Sequence, residues 1–169
     1  MVVAVTKLDA AARQLDEAVR LFFARADILA VHTLAGAAFQ ILEDVGAKVG
    51  VQSQLRHSDR IAPERRKEWF AALTATQNFL KHANRDAHVV HEYREEGTNF
   101  LLFEAVELAS RVLPKESRER LAYRLWFVFV QPKCFKAEYV SSLRALADET
   151  RADPADRDLR RRWLKLGER

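Results

Sequence analysis

KESRERLAYRLWFVFVQ, residues 115–131, opens charged and closes on six consecutive apolar residues, Leu125 to Val130. A run of that length fits either a buried strand or the end of a helix that is covered all round. The helical reading is the consistent one. Leu121 and Leu125 lie four apart and lead into the run in phase, and no other segment offers a partner strand. On a helix, Trp126, Phe127 and Phe129 point in different directions, so this end is either buried on all sides or placed at a subunit contact. Reading this run as helix makes the whole chain all-α.

Composition agrees. The 169 residues include only five Gly and four Pro, too little turn material for many short strands but enough chain for one domain with its own core. The chain is 49% hydrophobic and 31% charged, ordinary for a soluble globular protein. A net charge of +4 permits nucleic acid or acidic partners without requiring them. Cys134 is the single cysteine, which excludes an internal disulfide and a Cys-based zinc motif and suits a reducing, cytoplasmic setting. Beside Phe135 it reads as a small core residue rather than a nucleophile. The first residues lack the positive region and apolar length of a signal peptide, and no stretch approaches the ~20 apolar residues of a membrane span, so no membrane contact is expected.

Helical stripes account for most of the chain. Leu8, Ala11, Leu15, Val19 and Phe22 mark a first helix over 6–24, opened by a capping box of Thr6 and Asp9. Asp27 caps a second, over 28–48, and the short turn between them makes an antiparallel hairpin. Its small residues Ala35 to Ala38 let another helix approach closely, and His32 within it reads as a core histidine with one hydrogen bond. Pro63 opens a third helix, over 63–83. A long loop, 84–97, ends at Gly97, with Thr98 as the expected cap of a fourth helix over 99–113 that Pro114 stops. After Pro132, Phe135, Tyr139, Leu143 and Leu146 form a sixth stripe. The expected fold is an all-α, single-domain, up-and-down bundle over residues 1–150, with four core helices plus two or three additional ones. The tail, 151–169, carries seven basic and four acidic residues, hence +3 of the net charge. It reads as a docking helix with a solvated basic face, or as a basic arm for nucleic acid.

Polar chemistry gathers in EWFAALTATQNFLKHANRDAHVVHE, residues 68–92. Trp69, Phe70, Leu73, Gln77 and Leu80 share a helical stripe, and then Asn78, Lys81, His82, Asn84, Arg85, Asp86, His88, His91 and Glu92 crowd together. Three chemistries fit. His82, His88, His91, Glu92 and Asp86 are legitimate metal ligands, though none shows HExxH spacing. A histidine beside the cations Lys81 and Arg85 would have its protonated form disfavoured and could serve as a neutral base. Alternatively, these side chains only brace and cap the end of the third helix.

The third chemistry comes from a resemblance. Gln77-Asn78-Phe79-Leu80-Lys81-His82 resembles the signature of the HEPN superfamily (higher eukaryotes and prokaryotes nucleotide-binding domain): Arg, four to six residues, then His, often with Asn after the Arg. Asn78 and His82 match, and Gln77 stands at the arginine position. The resemblance implies a helical bundle, a homodimer, and an Arg–His cleft that cleaves RNA at a 2′-hydroxyl. Gln77 supplies no fixed charge to a phosphate, which turns the expectation toward a non-cleaving protein. Such a protein would bind RNA, a nucleotide or a protein partner through Asn78, Lys81, Asn84 and His88. The alternative is a metal-independent ribonuclease using His82 or His91 with Arg85, since Arg85 and His91 also satisfy the spacing. A metal-dependent hydrolase is the remaining alternative. No metal or cofactor is expected.

Overall fold

The computed structural model describes residues 2–54, 56–57, 62–84 and 87–149; Arg85 and the basic tail lie outside the described residues. Among the described residues six helices follow in order: α1 Lys7–Phe23, α2 Ile28–Ala47, α3 Arg66–Lys81, α4 Glu95–Val112, α5 Arg118–Val130 and α6 Ala137–Glu149. Single 3-10 turns occupy Pro63–Arg65 and Pro132–Cys134. Among the described residues there is no strand. The fold is an all-α bundle.

Local sequence explains the helix ends. The Asp9 amide donates to Thr6 Oγ1 at 3.0 Å and the Thr6 amide donates back to Asp9 Oδ2 at 3.1 Å, closing the capping box. Asp27 Oδ1 accepts from the Leu29 amide at 2.8 Å at the start of α2. Between these helices Arg25 takes the left-handed conformation, φ 54°, and turns the chain back. Ser117 caps α5 through the Arg120 amide.

Four helices, α1, α2, α4 and α5, supply the core, with α1 packed on α2, α2 on α4, and α4 and α1 both on α5. Leu15, Leu42, Leu102 and Tyr123 are fully buried. The run that fixed the fold class behaves as a helix covered within one chain. Leu125, Trp126, Phe127 and Val128, four successive residues, are buried. Trp126 meets Phe22 of α1, ring centroids 4.8 Å apart, while Phe127 stacks on Phe103 of α4 at 4.4 Å. A charged network seals the entrance to α5. Arg120, 4% exposed, donates to Asp16 at 3.0 Å, and Arg20 reaches Glu119 at 2.8 Å.

The contacts also fix helix directions. His32 and Thr98, near the starts of α2 and α4, meet, and so do Gly46 and Val112 near their ends, so these two core helices run parallel. Glu107–Arg124 and Phe100–Phe127 cross in the opposite sense, so α4 and α5 are antiparallel. From α1 to α5 successive helices reverse direction, as in an up-and-down bundle. The parallel pair arises because α3 carries the return outside the core: among its described residues none joins the core cluster and only Gln77 is buried. Arg56 helps hold it there. The Arg56 guanidinium pairs with Glu43 and lies over the rings of Phe70 on α3, 5.1 Å, and Phe39 on α2, 5.7 Å.

Three local expectations change. Helix α4 starts at Glu95, and Thr98 is fully buried within it instead of capping it. The third helix begins as a 3-10 turn at Pro63 and becomes α-helical at Arg66. Cys134 is exposed, because the turn at Pro132–Cys134 keeps it off the core. Helix α2 has the length and composition to cross a membrane, unlike any other described helix; here it packs between α1 and α4.

Two glycines of α2 have opposite tolerances. A methyl group at Gly46 would lie 2.8 Å from the Val51 carbonyl oxygen and 3.2 Å from Val112, and the backbone cannot step aside. Gly46→Ala is therefore expected to cost about 1–3 kcal/mol by overpacking, despite alanine's better helix propensity. At Gly36 the obstacle is the movable end of Gln77, 2.9 Å away, and Gly36→Ala should leave stability unchanged or raised. Urea unfolding of the two variants checks the contrast, and equal effects would contradict the packing described.

Candidate functional site

Because α3 stands off the core, a cleft of about 410 Å³ opens between α2, α3 and α4. Its walls are mainly apolar, with Phe39 from α2, Trp69 and Leu73 from α3, and Phe100 and Leu101 from α4. Polar side chains enter from each helix: His32 from α2, Gln77 from α3, and Arg94 at the start of α4.

His32 is 4% exposed. Its Nδ1 shares a 2.8 Å hydrogen bond with Thr98 Oγ1, which also bonds to the Tyr93 hydroxyl. Tyr93 sets its ring edge-on to the imidazole, centroids 6.0 Å apart. The other ring nitrogen, Nε2, is buried and has no hydrogen-bond partner. Burial, reinforced by repulsion from His91, pushes the His32 pKa down to about 4, so the ring is neutral at pH 7. Burial likewise pushes the Tyr93 phenol up, keeping it a hydrogen-bond donor. Gln77 is 8% exposed, packs its amide against Gly36, and leaves Nε2 without a partner. The cleft thus holds two neutral, buried and unpaired polar atoms. Arg56 also lines it but is paired with Glu43, while Arg94 is exposed.

The polar cluster of residues 78–91 is arranged differently. His91 is half-buried; its Nε2 shares a 2.8 Å hydrogen bond with Thr76 Oγ1, and its ring stacks on Phe79 at 5.0 Å. This docks the segment after α3 back onto the helix. Asn78, Lys81, His82, Asn84 and His88 are exposed. The His82 amide closes α3 by donating to the Asn78 carbonyl at 3.0 Å. Arg85 and Asp86 are outside the described residues. Of the expected site residues that are described, only His91 is drawn toward the cleft wall, through Thr76. Among the described residues no three His, Cys, Asp or Glu side chains are placed to hold one metal ion.

Local sequence concealed the rest of the site. Thr98, Tyr93 and Arg94 join it by tertiary contact, and Thr98 after Gly97 carries an ordinary capping signal. Gln77 did leave a trace, as the one polar member of an apolar stripe. No family model, curated protein or solved structure matches the chain.

Proposed function

We propose that the protein is a HEPN-like helical module of the cytoplasm that binds RNA or a nucleotide without cleaving it. One observation carries this reading. The position where a cleaving member would hold arginine is Gln77, an uncharged amide buried against Gly36, whereas His82 is exposed beyond the end of α3. The two groups of the motif therefore do not face one another within the chain, and neither brings a fixed positive charge to a scissile phosphate. Exposed Lys81, Asn84 and His88 are free to contact a phosphate backbone. The alternative ribonuclease would draw on His82 or His91 with Arg85, and of these His91 has its Nε2 already engaged by Thr76. A homodimer belongs to the same reading. Of the apolar run that suggested it, Phe129 and Val130 are the residues left accessible.

RNA incubated with the protein in EDTA tests this. We expect binding without cleavage, with an affinity that falls as salt rises, and a log–log slope reduced by about 1 to 1.5 when Lys81 and Arg85 are both changed to Ala. Chelator-resistant cleavage that disappears in His91→Ala or His82→Ala would replace the reading with the ribonuclease.

A further inference from the structure

We infer that the cleft between α2, α3 and α4 is a binding site for a small, uncharged, planar heteroaromatic ring whose polar edge meets His32 Nε2 and the Gln77 amide. This deepens the proposed function, since a nucleobase is such a ring, and rests on that reading only for the choice of a base among heterocycles.

The deep end of the cleft specifies the ligand. Buried polar atoms in folded proteins almost always have partners. Here two without one, His32 Nε2 and Gln77 Nε2, belong to side chains from different helices that line the same cavity. Each is more than nine-tenths buried, so bulk water does not serve them. Both groups are neutral, and the nearby guanidinium of Arg56 is already committed to Glu43. A carboxylate or phosphate pushed to that end would lose its water and gain no cation. An amide-like or amidine-like ring edge would lose nothing: Gln77 offers both a donor and an acceptor, and the imidazole adds one or the other according to its tautomer. The Thr98–Tyr93 pair holds the other ring nitrogen and so fixes the direction in which Nε2 points.

The walls suit a flat ring. Trp69, Phe39 and Phe100 bring aromatic rings to the lining and Leu73 an aliphatic side chain. The cleft's volume of about 410 Å³ lies within the range of small-molecule pockets. Exposed Arg94, also on the lining, can meet a charged substituent that stays near solvent, such as a phosphate carried on the ring's sugar.

The test uses the full chain labelled with ¹⁵N-histidine, and three probe sets: the four ribonucleosides, the uncharged bicycles benzimidazole and quinazolin-4-one, and a ten-nucleotide RNA. Calorimetry reads affinity, and the side-chain ¹⁵N shift of His32 reads the contact. At least one uncharged ring should bind and move the Nε2 resonance. Gln77→Leu and His32→Phe should each weaken it about tenfold or more. Gln77→Leu replaces a buried amide whose Nε2 is unpaired with an apolar group and should melt no lower than the wild type, whereas His32→Phe also gives up the Thr98 hydrogen bond, so its melting temperature is read alongside its affinity. Gly36→Ala, which displaces the Gln77 amide without removing it, should weaken the same ligands. If only non-nucleoside rings bind, the inference stands and the RNA reading falls. If RNA binds while no free ring does, the inference is overturned and the RNA reading stands. Ring binding that leaves Nε2 unmoved, or that survives both variants, also overturns it.

Discussion

Acidification from pH 7 to pH 4 is expected to remove about 3 kcal/mol of folding free energy through His32 alone. The unfolded chain takes up this proton near pH 6.5, whereas the native ring, buried beside Thr98 and repelled by His91, resists it down to about pH 4. The unfolded state therefore binds more protons throughout that interval. The contribution is fully present above pH 6.5 and is lost progressively as the pH falls toward 4. Urea unfolding at pH 7 and pH 4.5, for wild type and His32→Gln, isolates the effect, because the carboxylates titrate alike in both. The wild type should lose most of that energy relative to the variant. Parallel losses would mean that the imidazole is hydrated and the cleft wetter than its burial implies.

Phe127→Ala should cost about 4 kcal/mol and Phe129→Ala less than about 1.5 kcal/mol. Phe127 is 2% exposed and lies against Phe103, Phe100, Tyr123 and Phe135 from three directions. Phe129 is half-buried, with the Arg144 guanidinium 5.8 Å from its ring. The two positions are about 200° apart on a helix but would share a face on a strand. The asymmetry therefore tests the backbone conformation of the run as well as its packing. Phe127→Leu, a milder change, should retain the fold if the alanine variant does not, and should still be more destabilised than Phe129→Leu. Equal losses at the two positions would contradict the helical placement.

These two residues also show where sequence reading succeeds. The class of the fold was legible at Leu121 and Leu125, whose phase carried the apolar run into a helix. Helix starts were legible at Thr6 and Asp27 because a cap is a local hydrogen bond, whereas the Ser117 cap of α5 went unread within its charged opening. The small residues Ala35 to Ala38 announced a close approach, and Gly36 does receive Gln77 of α3. His32 was legible as a buried histidine with one partner, but the partner was not. Thr98 lies 66 residues away, and nothing in its neighbourhood distinguishes a threonine that caps from one that reaches across the bundle. The polar density of residues 78–91 was equally plain in the sequence, yet most of it faces solvent. The unpaired groups come singly from α2 and α3, where each looks like an isolated exception in an apolar stripe. Cys134 was misjudged for a related reason: apolar neighbours in sequence say little about burial inside a tight turn.

The placement of α3 outside a core that is already closed has an energetic consequence. No described residue of α3 belongs to the core cluster of α1, α2, α4 and α5, so undocking α3 and unfolding the bundle would be separate equilibria. A molecule touching both α2 and α3 recognises only the docked form. Its apparent affinity is the intrinsic affinity scaled by the docked population. That population is set by contacts other than the hydrogen bonds to the ring, among them the Arg56 bridge between Glu43 and Phe70 and the His91 hydrogen bond to Thr76. The affinity for such a molecule would then be adjustable, by substitution or by a second partner, without altering His32 or Gln77.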